Sequence, residues 1–266
     1  MVKLVAIDLD GTLFNSRSVI SRKNRLAISA CLDRGVRVVI TTAKTVYWVK
    51  KLITSLNLKD PQIASAGAAI IDTNLNPLYI KKIPAVHYRK MVALARKHEV
   101  GFCVSCLDGF VYHENDNPSL EYVWETKERP KRVINLLSED IASQVLLITV
   151  TVDNGHIFNE ILREELKNRV KIRRGGQNFL AAYNNKTGKT AALKKIMKDI
   201  KIKDRDVMAI GDSESDLGMI KLAGFGIAMG NAPENLKNAA FYVTGDNDND
   251  GVAEAIDRFV LKRKNT

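Results

Sequence analysis

Lys3-Leu4-Val5-Ala6-Ile7-Asp8-Leu9-Asp10-Gly11-Thr12 is the stretch that decides how this chain is read. From Lys3 to Leu9 it is short and apolar, which suits a strand buried on both faces. It then ends in two acids. Outward from it, Ser21 opens a helical pattern with Leu26, Ala27, Ala30 and Cys31 on one face, and Gly35 closes it. Val36 to Ile40 is a second buried strand. Thr45 can cap another helix, with Val46, Val49, Leu52, Ile53 and Leu56 at helical spacing. Ile63-Ala64-Ser65 begins a third strand. Ala68 to Ile71 and Leu78 to Ile83 form a hairpin around Asn74-Leu75-Asn76-Pro77. Strands alternating with helices predict a parallel sheet with right-handed crossovers.

Residues 84–184 follow another rhythm. A helix from Val86 to His98 precedes strands at Gly101–Ser105 and Phe110–His113. A polar stretch around Pro118 and Pro130 comes next. A strand (Val145 to Val152), a turn at Asp153-Asn154-Gly155, a helix (His156 to Asn168) and two strands flanking Gly175-Gly176 complete the region. Such a run predicts an inserted α+β lobe. From Thr187 the alternation returns. There is a helix to Ile200, a strand Val207–Ile210, a helix Leu217–Leu222, a short strand Phe225–Ala228, a short helix and strand, and a last helix Val252–Leu261. The expectation is an α/β protein: a Rossmann-like doubly wound core of residues 1–83 and 185–266, with residues 84–184 inserted as a cap.

In an open parallel sheet, ligands bind beyond the carboxyl ends of the strands. Here three such ends carry chemistry: Asp8-Leu9-Asp10-Gly11-Thr12, Thr41-Thr42, and Gly211-Asp212-Ser213-Glu214-Ser215-Asp216. Turns favour Asp, so one acidic strand end means little, but three converging ends are a poor fit to chance. Asp8 and Asp10 lie two apart, so an extended chain points both to one side. Close carboxylates repel unless a cation sits between them or one holds a proton. Magnesium prefers one or two carboxylates, waters and substrate phosphate oxygens. That set suits phosphoryl transfer, where positioning and charge neutralisation supply most of the catalysis.

Asp8-Leu9-Asp10-Gly11-Thr12 resembles the first motif of the haloacid dehalogenase (HAD) superfamily. Thr42 falls at the phosphate-binding Thr or Ser. Lys189, in Gly188-Lys189-Thr190-Ala191-Ala192-Leu193, resembles the third-motif lysine, and Gly211 to Asp216 resembles the acidic fourth motif. Ala228-Met229-Gly230-Asn231-Ala232 and Asp248-Asn249-Asp250-Gly251-Val252-Ala253 are similar to stretches of the Cof-type subgroup, which carries a type IIB α+β cap where residues 84–184 sit. The resemblance covers essentially the whole chain. It implies a magnesium-dependent phosphatase of a small phosphorylated metabolite, a sugar phosphate or similar. Asp8 would be the nucleophile that forms an aspartyl-phosphate, and Asp10 the general acid and base. Magnesium would be held by the Asp8 carboxylate, the Asp10 carbonyl and Asp212. Thr42 and Lys189 would bind phosphate, with Asp216 and Ser215 behind the metal. A phosphomutase or phosphotransferase, and a non-catalytic binding protein on the same fold, are the alternatives. The subgroup's usual Thr-Gly-Arg, Asn-Gly and Asn-Asp are here Thr42-Ala43-Lys44, Ala66-Gly67 and Ser215-Asp216.

The totals agree with such an enzyme. The chain has 266 residues, 45% of them hydrophobic, and a formal net charge of +11, of which residues 1–83 carry +8. A positive field attracts anionic substrates. No basic-aromatic module points to nucleic acid, and no apolar run approaches the ~20 residues that span a bilayer. The first strand is broken by acids and is no signal peptide, so a cytoplasmic monomer or homodimer is expected. Cys103-Val-Ser-Cys106 lacks the second pair that zinc needs, so it is read, with Cys31, as packed thiol. Thr187-Gly188-Lys189-Thr190 lacks the first glycine of a P-loop, since position 183 is Tyr183. Asp246 to Gly251 mimics a calcium loop but is read as a solvated turn. His87, His98, His113 and His156 have no metal-ligand spacing, and Trp48 and Trp124 are read as packing residues.

Overall fold

The apolar run after Lys3 forms β1 (Leu4–Asp8), buried along its whole length. Its surroundings come from a computed structural model that describes residues 1–116, 120, 130–151, 156–174 and 179–262. Pro118, Trp124, the turn at 153–155, Gly175-Gly176 and the side chain of His156 lie outside the described residues. After β1 come α1 (Arg22–Asp33), β2 (Arg37–Thr41), α2 (Val46–Leu56), β3 (Gln62–Ala64), β4 (Ala69–Ile71) and β5 (Pro77–Ile80). Ser21 caps α1 by accepting the Asn24 N–H at 3.1 Å. Asp72 holds the β4–β5 turn by accepting the N–H groups of Asn74 and Asn76.

The middle of the chain gives α3 (Ala85–Lys97), β6 (Phe102–Cys106), β7 (Val111–His113), β8 (Pro130–Arg132), α4 (Glu139–Ala142), β9 (Val145–Thr151), α5 (His156–Leu166), β10 (Val170–Arg174) and β11 (Phe179–Asn184). The rest gives α6 (Lys189–Asp199), β12 (Val207–Gly211), α7 (Leu217–Leu222), β13 (Phe225–Ala228), α8 (Glu234–Lys237), β14 (Tyr242–Val243) and α9 (Gly251–Ile256), which widens into π turns over Asp257–Leu261.

Two sheets result. The first has eight strands in the order β14-β13-β12-β1-β2-β3-β4-β5. Its pairs from β14 across to β3 are parallel, and β4 turns back antiparallel on β3. β1 and β12 lie in its interior and are buried at every position, as their unbroken apolar sequences require. This is the expected α/β fold. The second sheet has six strands, β10-β11-β9-β6-β7-β8, antiparallel except where β8 runs parallel to β7. Tyr88, Met91, Val104, Ile148, Leu162 and Leu180 belong to the core on this sheet.

The chain divides into two compact units. Met1–Ala43, Val49–Leu78 and Gly188–Thr266 form one; Lys44–Trp48 and Tyr79–Thr187 form the other. Cys103 and Cys106 are buried thiols on β6, and Cys31 is buried in α1. Burial pushes the Cys31 and Cys106 thiols up to about 12. Among the described residues, no helix is long and apolar enough to cross a membrane.

Two sequence expectations need correction, and one short helix has no counterpart in the sequence reading. Leu26 does not lie on the buried face of α1; it is 58% exposed, and Asn24, Ala27, Ile28 and Cys31 are buried instead. The buried face is set by the 24-27-28-31 spacing, and Leu26 falls to its side. Pro130–Arg132 is a strand rather than part of an irregular polar stretch. It has no apolar alternation to betray it, and its proline stands at the first position, where a missing donor is tolerated. α4 had no periodic signal, being only four residues long.

Candidate active site

The sheet register explains why distant stretches meet. Asp8 stands opposite Thr41, and Ile7 opposite Ile210, so the ends of β1, β2 and β12 lie side by side. Residues immediately beyond those ends are Leu9 to Thr12, Thr42, and Asp212 to Asp216. Gly11, at φ +75°, turns the first of these segments. The chain then folds back, with the Leu13 N–H donating to the Asp8 carbonyl at 3.3 Å and the Phe14 N–H to the Leu9 carbonyl at 2.8 Å. Two constraints make Gly11 obligatory: its left-handed backbone, and a Cβ that would overlap Asp212 Oδ2.

Lys189, the first residue of α6, supplies the cation. Its Nζ donates to Asp8 Oδ1 at 2.5 Å and to Asp216 Oδ1 at 2.7 Å, and all three side chains are buried. Asp216 Oδ2 accepts from the Ser213 backbone N–H at 3.0 Å and from the Ser213 hydroxyl at 2.9 Å. The Thr12 hydroxyl donates to Asp212 Oδ1 at 2.9 Å and lies 3.4 Å from Asp8 Oδ2. Carboxylate oxygens of Asp8, Asp212 and Asp216, one from each, lie within 4.8 Å of one another.

Three carboxylates therefore face one ammonium. Burial pushes the Asp8 carboxyl well above its usual range, and the charges of Asp216 and Asp212 push the same way against Lys189. Burial also raises Asp212, although its hydrogen bonds oppose this. For Lys189, burial disfavours the charge, but the carboxylates of Asp8 and Asp216 outweigh it and keep the ammonium protonated. The site is thus short of positive charge. Its donors are hard oxygens, the kind that hold a magnesium-like cation.

The structure brings Asp8, Lys189, Asp212 and Asp216 together. Asp10 is exposed, and its carboxylate stands outside that cluster. Thr42 is buried beyond β2, its N–H bonded to the Ile63 carbonyl at 3.1 Å and its carbonyl accepting the Ala66 N–H at 3.0 Å. Ser215 touches Asp216 Oδ1 at 3.4 Å and Ser213 Oγ at 2.9 Å. Ser213, rather than Ser215, is the main serine partner of Asp216. Thr12 and Ser213 stand inside the acidic motifs, two residues and one residue after an acid, but the motifs alone assign them no partner. A further layer lies in the downstream stretches that carry Asn231 and Asp248, whose motifs gave no hint of the partners they take. Asn231 Nδ2 donates to the Gly11 carbonyl and Asn247 Nδ2 to the Phe14 carbonyl, both at 2.9 Å. The Ser16 N–H donates to Asp248 Oδ1 at 2.9 Å. The acidic loop that mimicked a calcium site thus braces the chain after Asp8, while Asp246 Oδ1 accepts from the N–H groups of Asp248 and Asn249.

Known proteins are similar to this chain over almost its whole length. Over 261 residues the chain is 35% identical to the 5-amino-6-(5-phospho-D-ribitylamino)uracil phosphatase YcsE of Bacillus subtilis, covering 98% of this chain and 96% of that one. A second B. subtilis phosphatase of the same name, YwtE, is 30% identical over 97% and 98% of the two chains. The crystal structure of a haloacid dehalogenase-like hydrolase from Bacteroides thetaiotaomicron superimposes with a TM-score of 0.90 at 29% identity, covering 97% of this chain and 99% of that one. The family model for haloacid dehalogenase-like hydrolases matches residues 5–256 and so takes in all three converging strand ends and Lys189. With that match and phosphatases as its full-length relatives, the chain belongs to the haloacid dehalogenase-like hydrolase family, as a phosphatase.

Proposed function

We propose that the chain is a magnesium-dependent phosphatase that removes phosphate from a small phosphorylated metabolite through a phospho-enzyme on Asp8. The observation that carries this reading is the buried Asp8–Lys189–Asp216 constellation, with Asp212 within 4.8 Å. A carboxylate in this setting stays ionised only with more positive charge nearby, and a divalent cation would supply it. The Asp8 carboxylate, the Asp10 carbonyl and Asp212 would hold that cation, whose chemistry is to neutralise charge on the phosphoryl oxygens. Asp216, with its two oxygens taken by Lys189 and Ser213, orients the lysine.

In the first step an Asp8 oxygen attacks phosphorus, the bond from phosphorus to the substrate oxygen breaks, and Asp10 gives its proton to the departing oxygen. In the second, Asp10 takes a proton from water, the water oxygen attacks phosphorus, and the bond to Asp8 breaks, releasing inorganic phosphate. The exposure of Asp10 is consistent with this role, since it must meet both the leaving group and water. Thr42 and Lys189 would hold the phosphoryl oxygens during both steps. Residues 84–184 would serve as the cap that selects the leaving group.

Two relatives are named for 5-amino-6-(5-phospho-D-ribitylamino)uracil, a phosphorylated polyol on a pyrimidine, and this phosphomonoester is the first substrate to assay. The test is phosphate release from p-nitrophenyl phosphate and from that compound, with magnesium and with chelator. Wild type is expected to turn over only with the cation, and Asp8→Asn to be inactive. Full turnover by Asp8→Asn would end the reading.

A further inference from the structure

β3 hands the chain to β4 through Ser65-Ala66-Gly67, three consecutive residues at positive φ: 49°, 55° and 88°. Glycine takes that conformation freely, whereas a residue with a Cβ does so at a cost. Ser65 carries a second cost. It is 1% exposed, and its hydroxyl has no hydrogen-bond partner. A buried hydroxyl has given up its water and here receives nothing in exchange. Strain and an unmet hydrogen bond in one residue mark places where structure serves a ligand rather than stability.

The neighbours of the turn indicate which ligand. The Ala66 N–H donates to the Thr42 carbonyl at 3.0 Å. On the other side, a Cβ on Gly67 would overlap the Gly188 carbonyl and stand 3.0 Å from the backbone nitrogen of Lys189. The turn is wedged between the two residues assigned above to the phosphoryl group, at the carboxyl end of a parallel strand.

We propose that Ser65 is a further phosphate-binding residue, its hydroxyl donating to a phosphoryl oxygen alongside Thr42 and Lys189. The proposal rests on the reading of Asp8 as the phosphorylated residue. A neutral donor fixed by a rigid turn adds direction to the charge that Lys189 supplies. Substrate binding then satisfies the hydroxyl, and the strain of the turn holds it in place beforehand.

The test compares Ser65→Ala and Ser65→Gly with wild type by three measurements: the affinity of inorganic phosphate with magnesium present, kcat/KM on p-nitrophenyl phosphate, and Tm. Loss of a hydrogen bond to a charged group is expected to weaken phosphate binding and lower kcat/KM by roughly 10- to 100-fold. Tm is expected to hold or rise, most in Ser65→Gly, because an unmet hydroxyl and a strained backbone are removed. Phosphate affinity within about twofold of wild type would overturn the proposal, as would an activity loss that tracks a fall in Tm. Turnover retained in Asp8→Asn would instead sink the underlying reading, and phosphate affinity in the Ser65 variants needs no turnover to be measured.

Discussion

Asp8 is held in place by Lys189 yet destabilised as an anion, because burial and two neighbouring acids outweigh one ammonium. Its folded-state pKa is therefore raised above the unfolded value. A group shifted this way adds stability below its unfolded pKa and loses that contribution as pH rises through the folded one. Asp8→Asn removes the titration. In chelator its Tm should exceed that of wild type, and the gap should widen with rising pH when melts are run across the acid-to-neutral range. A gap that is flat or reversed would mean Lys189 wins after all. Ala66 is a separate case. It holds φ 55° on a residue with a Cβ, where the related subgroup usually places Asn, which tolerates that region. Ala66→Gly relieves a left-handed strain of about 1–2 kcal/mol and gives back about 0.5–1 kcal/mol of that in chain entropy, so a net stabilisation on the order of 1 kcal/mol is expected, read as a rise in Tm. An unchanged or lowered Tm would show that the Ala66 methyl group packs well enough to offset its strain.

Elements were legible where one face repeats and illegible where a polar residue does core work. β1, β2 and β12 announced themselves as apolar runs, and their acid and threonine ends gave most of the site. Asn24 did not. It looks like surface on α1, but it is buried, and its Oδ1 accepts the Ala253 N–H at 2.9 Å. That bond supplies α9 with a partner that its own N-cap, Asp250, does not give through its side chain. A bond between residues 229 positions apart leaves no local trace. Asn24→Ala orphans a buried N–H and should cost about 1–3 kcal/mol in urea unfolding, while phosphatase activity persists below the transition. A cost near zero would mean that the helix end finds another partner. Ser213 was hidden for a related reason: three polar residues separate Asp212 from Asp216, and only the turn geometry decides which one faces Asp216.

At the scale of the molecule, sequence order and compactness differ in one segment. Lys44–Trp48 follows Ala43 directly, one residue past Thr42, yet it groups with Tyr79–Thr187. Pattern reading assigns contiguous stretches, so a five-residue strap that leaves and rejoins a unit has no signature to find. The same division yields a test of how the two units unfold. Asp8, Lys189, Asp212 and Asp216 all lie in the first unit, as does Cys31, whereas Cys103 and Cys106 lie in the second. All three thiols are buried, and Cys31 and Cys106 are pushed up to about 12, so each is inert until its surroundings open. Ligands that bind only the folded form stabilise it by about 2.7 kcal/mol at a hundredfold excess over Kd. Magnesium with phosphate should therefore move Cys31 labelling to higher urea. Labelling of Cys103 and Cys106 should stay where it was if the second unit, with its own core around Tyr88 and Val104, unfolds by itself. Mass spectrometry of alkylated peptides across a urea series, with and without the ligands, resolves the two sets. If all three thiols shifted together, the two cores would be one cooperative unit, and stabilisation at Asp8 would reach every residue of the chain.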